Sequence, residues 1–176
     1  MKYQDCAEAL QAVEDWSDGD ADGALRLADA NINPATGLAT DYLNHFNEAI
    51  MLLEMLSSCP DCVADFLDWQ PKTYREHFSG SHFKDRDMAV AAYDAADPAV
   101  RDSIDALAGT MTAVLEATRA GMRAGLPEAA AQSLAQQTVA SLKPLIARAG
   151  AVINGDRGAL AAGAATPQAA VDQLLR

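Results

Sequence analysis

The chain has 176 residues, a formal net charge of −12 and a composition that is 50% hydrophobic but only 6% aromatic, with 38 alanines. That length holds one domain with a core of many small contacts, and alanine at this level favours helix because it loses no side-chain entropy there. So acidic a chain repels phosphate backbones and anionic lipid surfaces, which excludes nucleic acid and membrane as expected partners.

Taken in order, Ala7, Leu10, Val13 and Trp16 predict a first helix over about residues 4–16. The acidic stretch 17–23 interrupts it. A second helix carries Ala24, Leu25, Ala28 and Ile32 and stops at Asn33-Pro34. The strongest helix follows Thr40, which reads as its N-cap with Asp41 in the first turn. It runs to about Ser57 around Tyr42, Leu43, Phe46, Ala49, Ile50 and Leu53. Met51 and Met55 on this helix are expected as core filling.

After Cys59-Pro-Asp-Cys62 comes a short apolar helix, Val63 to Trp69. Residues 70–84 read as a long polar loop, and a connection of that length without pattern carries a raised weight of function. Helices follow over 85–95, from Asp97-Pro98 to about Ala124, and over 128–149, the last containing Pro144. Asp97 is the N-cap and Pro98 the first helical residue of the second of these. A turn at 154–158, a small-residue stretch to 165 and a short helix opened by Thr166-Pro167 end the chain. Alternating β-branched runs are absent.

The expected fold is all-α, a helical bundle of about six helices in a single domain over residues 1–157. The helices near 40–57, 98–124 and 127–149 form the centre of a bundle over 38–150, an acidic hairpin over 1–34 packs beside it, and the tail 158–176 attaches loosely. Residues 1–70 hold 14 acidic and 2 basic side chains, whereas residues 71–176 hold 11 of each. The excess negative charge therefore lies in the first two fifths of the chain, where it suits a basic protein partner or divalent cations.

Three patterns carry possible metal chemistry. Cys59-x2-Cys62-x14-His77-x4-His82 has the spacing of a Cys2His2 zinc site. His45 and Glu48 share one stripe of the strongest helix with Asp41, and imidazole with carboxylate suits a mononuclear iron, manganese or zinc ion completed by His77 or His82. Asp18-x-Asp20-x-Asp22-Gly23 resembles the opening of an EF-hand loop over 18–29, in which Asp29 would replace the usual glutamate and leave a weak calcium or magnesium site.

The same cysteines form a Cys-x-x-Cys pair, but their acidic neighbours oppose a reactive thiolate and no strand precedes them. Nucleophile elbows, phosphate loops and dinucleotide fingerprints are absent. The leading expectation is an acidic accessory or regulatory protein of the cytoplasm that binds a protein partner or a ligand. The alternatives are a metal-binding helical protein, and an enzyme using His45 as general acid–base with His77 or Arg75 across a pocket.

Overall fold

The structure, a computed structural model, describes residues 21–59, 61–162 and 166–174. The helix expected over 4–16 lies outside the described residues, as do Asp18 and Asp20. Helix α1 spans Ala21–Asp29. Asn31, in the left-handed region at φ 57°, turns the chain into a small loop whose mouth is a bridge between Asn33 and Leu38. Gly37 in this loop has φ +70°, and a Cβ there would stand 2.7 Å from the Ala92 carbonyl oxygen, so both conformation and close approach require glycine.

The strongest predicted helix does not start on a capping threonine. Thr40–Leu43 is a 3-10 turn that runs directly into α2, Asn44–Met55, and no side chain caps α2. Instead the Asp41 carboxylate accepts from the Asn44 side-chain amide at 2.8 Å. The remaining helices are α3 (Cys62–Asp68), α4 (Tyr74–Ser79), α5 (Arg86–Ala95), α6 (Pro98–Arg123), α7 (Glu128–Ile153), α8 (Arg157–Ala161) and α9 (Pro167–Leu174). The described residues are overwhelmingly helical and contain no strand beyond that one bridge.

Helices α6 and α7, 26 residues each, pair along their lengths. Ile104, Leu107, Met111, Val114 and Leu115 recur at helical spacing on α6 and are all buried. The hydroxyls of Thr118 and Thr138 meet 2.7 Å apart between the two helices. Asp97 caps α6 as expected, accepting from the Ala99 N–H at 2.7 Å. Helix α7 is continuous through Pro144. Helix α2 lies against α7, and α3 packs on α2 and α6, so two of the three expected central helices pair directly and α2 is the third member.

Three further expectations change. Within 70–84, expected as loop throughout, Tyr74–Ser79 is helix. It starts with a reciprocal cap: the Thr73 hydroxyl accepts from the Glu76 N–H at 3.3 Å, and the Glu76 carboxylate accepts from the Thr73 N–H at 2.8 Å. Tyr74 and Phe78, one turn apart, are both buried, which gives so short a helix its stability. Thr73→Ala is expected to cost about 1 kcal/mol in chemical denaturation, the value of a lost cap. The tail is also more firmly attached than expected: α9 packs on α6 and α7, and Leu174 is buried. Met51 and Met55 stand exposed on the outer face of α2 rather than in the core. No helix among the described residues is long and apolar enough to cross a membrane.

Candidate functional site

Seven of the eight aromatic rings in the described residues gather at one end of the bundle, where the start of α2 meets residues 69–78 and α5. Apolar anchoring makes this region well ordered despite its polar sequence. Trp69 ends α3 and stacks on the His45 imidazole with ring centroids 4.6 Å apart, while its Nε1–H donates to the His45 carbonyl at 3.1 Å. The Tyr42 hydroxyl donates to the Lys72 carbonyl at 3.0 Å, and the Ala39 N–H donates to the Tyr74 hydroxyl at 2.9 Å. Residues 69–74 are therefore strapped across the start of α2.

His45 is 5% exposed, and its Nε2 has no hydrogen-bond partner. Burial pushes its pKa down to about 4, with the charges of Lys72 and His77 adding to the fall and a backbone hydrogen bond at Gln70 opposing it. The ring is thus neutral near pH 7. The His77 ring lies 6.1 Å from it, and His77 Nε2 contacts the Asp41 carboxylate at 3.1 Å.

Of the residues singled out in the sequence, the fold brings together His45, His77 and Asp41 and separates the others. Glu48 is exposed on α2, and His82 is exposed beyond α4. Cys59 and Cys62 sit past the far end of α2, about 18 Å from its start by helical rise. The Cys2His2 zinc set is consequently not assembled, because its two halves lie at opposite ends of one helix. Among the described residues no three His, Cys, Asp or Glu side chains gather as a metal-holding group. Of the acidic loop, Asp18 and Asp20 lie outside the described residues; residues 21–29 are helix, which holds Asp22 and Asp29 about 10 Å apart.

On the far side of Tyr42 the strap and α6 enclose a cleft of about 480 Å³, lined among others by Tyr42, Lys72, Tyr93, Asp105, Gly109 and Thr112. That size suits a small organic ligand. The Tyr93 ring stacks on Tyr74 at 4.6 Å, and its hydroxyl donates to the Asp105 carboxylate at 2.8 Å. Burial and that carboxylate push the Tyr93 pKa up to about 12, so the hydroxyl stays a donor. Arg75 lies over the Tyr93 ring and pairs with Asp94 at 2.6 Å. Lys72 makes no ion pair among the described residues.

Gly109 stands in the interior of α6, where glycine costs roughly 0.5–1 kcal/mol relative to alanine. A Cβ at this position would meet nothing within 4 Å, so no packing demands the glycine. The cleft leaves little trace in the sequence. Its one sequence signal was a glycine inside an otherwise unbroken helical pattern. The chain matches no family model, no curated protein and no solved structure.

Proposed function

We propose that this chain is an accessory binding protein that holds a small organic carboxylate in the cleft that residues 71–76, from the strap into α4, form with α6. The observation that carries this reading is Gly109, a helix-weakening residue that lines the cleft at a point where a Cβ would meet nothing within 4 Å. Tyr42 and Tyr93 supply flat walls for an apolar body, the Lys72 ammonium supplies the charge for a carboxylate, and Thr112 adds a hydroxyl. The acidic first 70 residues suit a basic protein partner through charge complementarity, which is the second half of the proposal.

The test uses benzoate and related small aromatic carboxylates as probes in an amide-resolved NMR titration. Saturating shifts at the Lys72, Gly109 and Thr112 amides, lost in Gly109→Phe, are the expected result. No saturating change at those amides for any of the probes overturns the ligand reading. Gly109→Ala is expected to make the unliganded protein more stable by about 0.5–1 kcal/mol, measured by thermal or urea denaturation.

A further inference from the structure

Cys59 follows α2 and Cys62 opens α3, so the pair sits at the joint between two helices that pack on each other. The Cys62 N–H donates to the Cys59 carbonyl at 3.0 Å. A backbone bond between residues three apart holds their two Cα atoms within about 7 Å. A disulfide spans a Cα separation of roughly 4.4–6.8 Å. Interaction with the Cys59 side chain is the main influence on the Cys62 thiol, pushing it up to about 11, with burial and the carboxylates of Asp61 and Asp65 adding to the rise. Cys62 is buried, whereas Cys59 is half-exposed and is the sulfur a reagent meets first.

We infer that Cys59 and Cys62 are a dithiol modification site, which closes to an intramolecular disulfide on reaction with a small-molecule disulfide. The Cys59 thiol gives its proton to water. Its sulfur attacks one sulfur of the reagent, the reagent S–S bond breaks and one small thiol leaves. Cys62 then loses its proton and attacks the Cys59 sulfur, and the second small thiol leaves. Two protein thiols are oxidised to one disulfide while one small disulfide is reduced to two thiols. The acidic surroundings make the exchange slow, which distinguishes a responsive joint from a catalytic oxidoreductase. Leu56 and Val63, on either side of the cysteine pair, line hollows on the bundle surface beside α7, so a disulfide between the cysteines stiffens the wall they share.

The experiment uses the full chain with Cys6→Ser, which leaves only this pair, incubated with oxidised glutathione at about pH 8.5. Intact mass is expected to fall by about 2 Da, the loss of two hydrogens, with no adduct retained and no free thiol left. Adding Cys62→Ser to that protein is expected to trap one glutathione on Cys59. A glutathione adduct that persists while both cysteines are present overturns the inference. So do two thiols still free after prolonged reaction.

Discussion

Trp69→Ala is expected to destabilise the protein by about 3–5 kcal/mol, the cost of emptying a large buried aromatic site. Three contacts are lost together: the stack on His45, the tilted packing on Phe46 and the indole hydrogen bond to the His45 carbonyl. Trp69 is also where the chain leaves α3 and enters the strap, so its loss frees Lys72 and the wall of the cleft. Trp69→Phe keeps the ring and forfeits the hydrogen bond, and is expected to cost about 1 kcal/mol from that bond plus the smaller ring's lost packing. Urea denaturation followed by far-UV circular dichroism separates the two variants. A loss below about 1 kcal/mol for the alanine variant would show that the indole does not hold the strap.

Acid is expected to destabilise the protein through His45. The folded pKa of about 4 lies below the ordinary 6.5, so between those values the unfolded chain binds a proton that the folded chain refuses. The contribution of the neutral buried ring is fully present above pH 6.5 and falls away as pH drops towards 4. It amounts to at most about 3 kcal/mol across that window. The groups facing the ring oppose its charge in the same direction: Lys72 from the strap and His77 from α4. His45→Phe keeps a flat apolar ring against Trp69 and removes the titration. Its stability is expected to change less between pH 6.5 and 4 than that of the unaltered protein, and parallel pH profiles for the two proteins would refute the assignment.

Gly109 and His45 set two kinds of polar or open site side by side. At Gly109, stability is forgone where a Cβ would meet nothing within 4 Å. At His45, a buried nitrogen is left without a partner, as is the buried Arg119 Nε, a cost of about 1–3 kcal/mol for the imidazole. Both lie close to Tyr42, which touches the imidazole cluster through His77 and the cleft with its own ring. The ligand reading draws on the cleft alone, and the acid prediction draws on His45 alone, so the two can fail independently.

Much of the fold was legible because its signals are local. The stripe on α6, its Asp97-Pro98 start and the Thr166-Pro167 opening of α9 each concern residues within a few positions of one another. The same locality explains the misses. Thr40 has the composition of a cap, but the fold continues the turn into α2 and turns Asp41 towards His77. Residues 70–84 carry only the brief local signals of the Thr73-Glu76 cap and the Tyr74–Phe78 pair, and α4 is anchored because Phe78 meets nearby Phe83 while Tyr74 finds Tyr42 and Tyr93 from elsewhere in the chain.

An all-α chain, the positions of most helices and the concentration of negative charge in the first 70 residues can be read without the fold. These follow from composition and from a 3.6-residue period that acts over short separations. Only the tertiary structure decided which reactive side chains meet. His77 reaches Asp41 across 36 positions, and Trp69 reaches His45 across 24. The cysteines, closer in sequence to both histidines than those histidines are to many of their own neighbours, end up at the other end of α2. A rigid helix converts a short separation along the chain into a long one in space, and packing between helices does the reverse, so spacing alone could name the residues of a site without showing which of them share it.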